Sequence, residues 1–221
     1  MSTYPFIPLV FERLADADSR QRALDFYHEL NRRRTTRHFS TDEVPRAWIE
    51  LAIATAGTAP SGAHQQPWTF VAVSDAETKR RIREAAEHEE KLNYAGRMPA
   101  DWIAALARLG TDEHKPHLTD APWLVVLFRK LYGIDSDGRR HPYYYTQESC
   151  GIAAGLFIAA VHHMGLVTLT HTPSPMGFLG ELLERPANEK AFLVMPVGYP
   201  ADAARVPDLQ RHALEEISIW R

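Results

Sequence analysis

The run Trp123-Leu-Val-Val-Leu-Phe128 leaves no position free to face water, and it constrains the fold more than any other stretch of the chain. A strand with one wet face alternates apolar and polar residues, whereas an unbroken apolar run is expected of a strand covered on both faces. Trp68-Thr-Phe-Val-Ala-Val73, bounded by Pro67 and Ser74, also has strand composition, as do Leu166 to Thr170 and Phe192 to Val197. The cover must come from helices. These are expected over about 20–34, over 44–56 behind a Ser40-Thr-Asp-Glu43 capping box, and from a second capping box, Ser74 with Glu77, toward Glu90. A short helix is expected near 178–183, and the longest at 145–164, where Gly151, Ala153, Ala154, Gly155, Ala159 and Ala160 are small enough for another backbone to approach. The pattern describes a layered α/β or α+β protein with a polar C-terminal tail, and 221 residues suffice for one domain with a substantial core.

Composition excludes several classes. A net charge of −3 and 24% charged residues give neither a disordered chain nor a general nucleic-acid surface, so no nucleic-acid partner is expected. Cys150, a lone cysteine, allows no internal disulfide and no cysteine-cluster metal site, as in an intracellular, reduced protein. The apolar stretch Gly151 to Val161 is shorter than the ~20 residues that cross a bilayer, and no signal peptide precedes it, so a cytoplasmic protein with no membrane partner is expected. G-x-S-x-G, P-loop, H-E-x-x-H and strand-following G-x-G-x-x-G signatures are all missing. His162 and His163 are adjacent and point to different helix faces, and no metal site is expected.

Three features carry chemistry. Arg32 to Arg34 with Arg37 offers planar, permanently charged forks that suit a phosphate as well as they suit a solvated surface. Between Glu87 and Thr119 the periodicity weakens, as in a lid or binding segment; Glu90 and Tyr94, at i and i+4, would share one helix face there, either over a ligand or in water. Lys115 would join them only if the segment folds back. Thr170-His-Thr172 ends a strand, where threonine hydroxyls commonly satisfy backbone groups.

Arg33-Arg-Thr-Thr-Arg37, Ala56-Gly-Thr-Ala-Pro-Ser-Gly-Ala-His64, Pro67-Trp-Thr-Phe70, Thr168-Leu-Thr-His-Thr-Pro173, Arg185-Pro-Ala-Asn-Glu-Lys190, Pro196-Val-Gly-Tyr-Pro200 and Val206-Pro-Asp-Leu209 together resemble the iodotyrosine deiodinase branch of the nitroreductase flavoproteins. The similarity covers nearly everything after about Leu24. It implies an α+β fold with a nitroreductase-like mixed central sheet flanked by helices. It also implies an intertwined homodimer with FMN between the subunits, an N-terminal arm of about 1–19, a lid of about 87–119 and a C-terminal arm of about 201–221. By the same resemblance Arg33, Arg34, Thr35 and Arg37, with Arg211, hold the FMN phosphate, Pro60, Ser61 and Gly62 approach the flavin ring, and Thr170, His171 and Thr172 pass its other edge. Thr172 would hydrogen-bond the flavin N5, where a hydroxyl that both donates and accepts can favour one-electron steps.

Glu90, Tyr94 and Lys115 would recognise the ammonium and carboxylate of a halogenated tyrosine, and a backbone N–H near Ala63 its phenolate. The activity implied is FMN-dependent reductive dehalogenation, with NAD(P)H, directly or through a reductase, as electron donor. A general nitroaromatic or quinone reductase and a flavin-containing aromatic amino-acid binding protein are the alternatives. The segment Thr172 to Arg185, with Pro173-Ser-Pro-Met-Gly177, departs from the family pattern.

Overall fold

In the computed structural model, residues 5–221 are described; Met1 to Tyr4, the first residues of the expected N-terminal arm, lie outside them. The chain divides into two compact units between Arg33 and Arg34. The first contains α1 (Asp16–Arg32), which starts earlier than the periodicity suggests and has no buried residue; Asp16 and Asp18 in its first turn and Arg32 in its last complement the helix dipole.

The second unit is built on a four-stranded sheet in the order β1 (Trp68–Val73), β2 (Trp123–Lys130), β6 (Glu189–Gly198), β5 (Val167–Thr168), with β2 antiparallel to both its neighbours. A parallel bridge from Thr35 to Thr168 makes the sheet mixed. Leu124 through Phe128 are fully buried, as the apolar run requires. Their alternation divides the core. Val125 and Leu127 pack with Ile49, Ala52 and Ala56 of α2 (Arg46–Gly57) and with Ala154 and Phe157 of α6 (Thr146–His163). Leu124, Val126 and Phe128 pack with Ile82 and Ala86 of α3 (Ala76–Leu92) and with Leu179 of α7 (Gly177–Leu182). The remaining elements are α4 (Ala100–Ala107), α5 (His117–Asp120), α8 (Leu214–Ile217) and a hairpin of β3 (Tyr132–Ile134) and β4 (Arg140–Pro142).

Both capping boxes are corrected. α2 begins after Pro45 with no side-chain cap, and the Ser40 hydroxyl instead accepts from the Asp42 N–H in a local turn. α3 is capped by Asp75, not Ser74: its carboxylate accepts from Thr78 N at 2.7 Å. The small residues of α6 also divide, since Ala153 and Ala154 are buried while Gly151 and Gly155 are exposed with open space beside them. Among the described residues no helix is long and apolar enough to cross a membrane.

Candidate active site

The buried face of α3 runs through Lys79, Ile82, Ala86 and Glu90, and Asn93 continues it one turn later. Polar residues on an apolar stripe need partners. Lys79 donates to the Ala121 carbonyl at 2.8 Å and to that of Thr119 at 3.2 Å, which fixes the end of α5 against α3. Glu90 pairs with Lys115 at 3.3 Å; their side chains are only 11% and 4% exposed. Beyond Leu92 the helix widens into a π-turn over Asn93–Arg97, inside which Gly96 has φ 141°, a positive-φ conformation that glycine tolerates.

Lys115 is held from several sides. Its N–H donates to Glu87 Oε1 at 2.8 Å, and its ammonium donates to the Asp112 carbonyl and, at 3.3 Å, to the Thr111 hydroxyl. Burial pushes the Glu87 carboxyl up, but the hydrogen bonds from Lys115 N–H and Arg83 outweigh it and hold the group below its ordinary value. Tyr94 donates its hydroxyl to the Thr111 carbonyl at 3.2 Å, and its ring centroid lies 6.0 Å from Lys115 Nζ. Burial, then the carboxylates of Glu90, Asp112 and Glu113, keep its phenol pKa high. Lys115 was expected to reach the other two only where the segment folds back; it does so here, and the three side chains stand together.

Glu90 and Lys115 line a cavity of about 440 Å³, whose wall also includes Arg37, Thr170, His171 and Thr172. The volume falls in the usual range for small-molecule sites, ~300–1,000 Å³. Tyr94 does not line it. Arg37 is half-buried; desolvation lowers its pKa against a smaller opposing effect of Tyr94, and no carboxylate among the described residues offsets the loss of water, which leaves a guanidinium suited to an anion. His117 and His171 are almost fully buried and meet edge-to-face at 5.3 Å, each with an Nε2 that has no hydrogen-bond partner. Burial, with Lys115 and Arg37 nearby, pushes both imidazole pKa values down to about 3, so both are neutral at pH 7.

The remaining expected site residues lie elsewhere. Arg34 donates to the Pro207 carbonyl of the C-terminal segment, and Thr35 bridges to Thr168. Arg33 closes the first unit with its N–H on Leu30 O, and Arg211 is exposed and partnered. Pro60, Ser61, Gly62 and Ala63 do not line the cavity. They form a constrained turn beside the start of α6, where a Cβ on Gly62 would stand 2.6 Å from the Tyr144 carbonyl oxygen. Ala63, His64 and Gln66 all have φ near +50°, and Gln66 N donates to Ser61 Oγ at 2.9 Å. Such a run of left-handed non-glycine residues persists only where its surroundings fix it. Asn93, Arg97, Trp102 and His117 also line the cavity and were not singled out from sequence, although Asn93 carried a signal as a polar residue on the α3 core stripe.

The sequence profile of the Nitroreductase family matches residues 30–199. The chain is 52% identical over 206 residues to the iodotyrosine deiodinase of Haliscomenobacter hydrossis, covering 93% of each chain. It is 42% identical over 214 residues to human iodotyrosine deiodinase 1, covering 96% of this chain and 74% of the human protein. Its fold superposes with a TM-score of 0.74 and 28% identity on a crystal structure of oxidized iodotyrosine deiodinase bound to FMN and 3-iodo-L-tyrosine, covering 89% of this chain and 97% of that one. A chain matched by the family profile along most of its length, and more than half identical to a deiodinase over nearly all of both proteins, belongs to the nitroreductase family and, within it, to the iodotyrosine deiodinases.

Proposed function

We propose that this protein is an FMN-dependent reductive dehalogenase acting on iodotyrosine. One observation carries the reading: a single cavity joins a buried Glu90–Lys115 ion pair to Arg37 and the Thr170–Thr172 segment. An ion pair withdrawn from water costs desolvation that a surface pair avoids, and a zwitterionic ligand gives each partner a new counter-ion. Glu90 takes the ammonium of the amino acid and Lys115 its carboxylate; Tyr94, which lies off the cavity wall, joins Lys115 on that carboxylate once its hydroxyl turns from the Thr111 carbonyl. Arg37, lacking a carboxylate partner, fits an anionic cofactor, with Arg34, Thr35 and Arg211 as the other proposed phosphate contacts. When bound, FMN supplies the two electrons of the reaction. Overall the aryl C–I bond breaks, a C–H bond forms with a proton, and iodide leaves.

The Thr172 side chain is exposed on the cavity wall and is free to donate or accept toward the cofactor. Segment 87–119 acts as the lid, excluding water so that each charge contact strengthens. Pro60 to Ala63 lie outside this cavity, and they are proposed to complete the corresponding site of a second copy in a homodimer, with the Ala63 N–H on the substrate phenolate. Exposed apolar residues support that assembly: Phe6, Ile7, Leu9 and Val10 are each at least 87% exposed, and Ile219 and Trp220 are 84% and 82% exposed.

Anaerobic reduction of the FMN-loaded protein followed by 3-iodotyrosine is expected to release one iodide and one tyrosine per flavin reoxidised. Reduced flavin that persists with no iodide formed would overturn the reading, and turnover of a nitroaromatic alone would favour the general reductase. Thr172→Ala is expected to slow iodide release roughly 3- to 10-fold, the loss of about one hydrogen bond, with iodotyrosine affinity unchanged. A variant that instead loses affinity at an unchanged rate would place Thr172 on the substrate.

A further inference from the structure

We infer that Asn93 is a positioning residue: its buried side-chain amide ties the end of α3, with Glu90, and the π-turn, with Tyr94, to the turn that follows Thr172. The inference rests on the proposed function. Asn93 is 8% exposed and donates from Nδ2 to the Ser174 carbonyl at 2.8 Å, across 81 positions of sequence. Its own carbonyl accepts from Met98 N at 3.0 Å, the bond that closes the π-turn, so the backbone beneath the side chain is itself fixed. Glu90 lies one helical turn before Asn93, and Tyr94 is the next residue. Thr172 precedes Ser174 by two residues, and Glu90, Asn93, Thr172 and Ser174 all line the same cavity.

The bond therefore sets the spacing between the groups that hold the amino-acid end of the ligand and the group that faces the cofactor. A displacement between two such sets weakens a ligand that bridges both, because its contacts at one end are then made at the expense of those at the other. The side-chain chemistry is specific. A carbonyl accepts and never donates, so only the amide nitrogen of Asn93 can meet Ser174. Aspartate has nearly the same shape but would turn a lone pair toward another, and alanine would leave the carbonyl without its partner.

The test uses FMN-loaded protein: wild type, Asn93→Ala and Asn93→Asp. Three quantities are measured, namely 3-iodotyrosine affinity by quenching of flavin fluorescence, FMN affinity, and turnover of a small quinone that carries neither ammonium nor carboxylate. Both variants are expected to bind iodotyrosine roughly 5- to 100-fold more weakly. FMN affinity should stay within about twofold of wild type, the scatter of a change worth less than 0.5 kcal/mol, and quinone turnover should fall by less than iodotyrosine affinity does, because only the amino-acid ligand bridges both ends of the bond. Wild-type iodotyrosine affinity in either variant would overturn the inference. So would parallel losses in all three quantities, which a general packing role produces, and Asn93→Asp serves if the alanine variant fails to fold. A wild-type protein that does not bind iodotyrosine would refute the proposed function itself, a result distinct from an insensitive variant of a protein that does.

Discussion

Replacing Lys115 by methionine is expected to weaken iodotyrosine binding by roughly 10- to 150-fold while FMN stays bound, the loss of one charge-assisted contact worth about 1.5–3 kcal/mol. Methionine keeps most of the apolar stem, so the change removes the ammonium rather than the packing. The effect should be large because Lys115 is buried. Lys115 is 4% exposed at its side chain, and water cannot replace it as a partner for the ligand carboxylate. In the protein without ligand, Glu90 and Lys115 neutralise each other at 3.3 Å. A bound zwitterion converts one buried pair into two and leaves no charge uncompensated, whereas the methionine variant leaves the carboxylate of the ligand with Tyr94 alone. 3-Iodotyramine, which lacks the carboxylate, supplies the control. Its affinity should be nearly equal for wild type and Lys115→Met, so the mutation and the missing carboxylate should be strongly non-additive. Additive losses would remove Lys115 from the carboxylate and leave it as a structural partner of Glu90.

Fold and site were legible to different degrees, for physical reasons. The run Trp123 to Phe128 announced a strand with two covered faces, because burial on both sides permits no polar residue, and the two core clusters meet on that strand. Helix starts were read less well. The capping-box spacing at Ser40 and Glu43 is genuine, but Pro45 fixes the entry to α2, and the Ser40 hydroxyl is engaged within two residues of itself. At α3 the carboxylate of Asp75, one residue past Ser74, is the stronger acceptor and takes the cap. Glu90 and Tyr94 were readable as a pair by their spacing, but the π-turn between Asn93 and Arg97 that closes their helix was not. Lys115 entered the site through the family resemblance alone, since periodicity placed it, like His117, only in a charged stretch. Their burial comes from α3, through Glu87, Glu90 and the Lys79 anchor, and from the strand-end segment with His171, contacts far apart in sequence.

His117 and His171 should give the protein a steep acid limb of stability. Burial is the main reason both stay neutral down to about pH 3; His117 also faces Lys115, Arg37 and Arg83, with Glu87 opposing, and His171 faces His117, Lys115 and Arg37. An unfolded chain imposes no such cost, and its histidines protonate near 6.5. Between these values the unfolded state binds more protons than the folded state, so stability rises with pH through the window and falls on acidification. From pH 6.5 to pH 5.0 each such histidine should cost about 1.5 kcal/mol, and less than twice that for the pair if their titrations are coupled. That interval lies above the titration of the carboxylates, whose depressed pKa values act with the same sign only at lower pH. Urea unfolding of wild type and His117→Gln at fixed FMN concentration, at pH 6.5 and 5.0, isolates the effect. Glutamine cannot titrate, so the difference in stability between the two pH values should shrink by about 1 kcal/mol or more. An equal loss in both proteins would mean that His117 takes up a proton in the folded state. The cavity would then gain a third positive charge near Lys115 and Arg37 on mild acidification, and anion binding there would strengthen as pH falls, where a neutral pair leaves it flat.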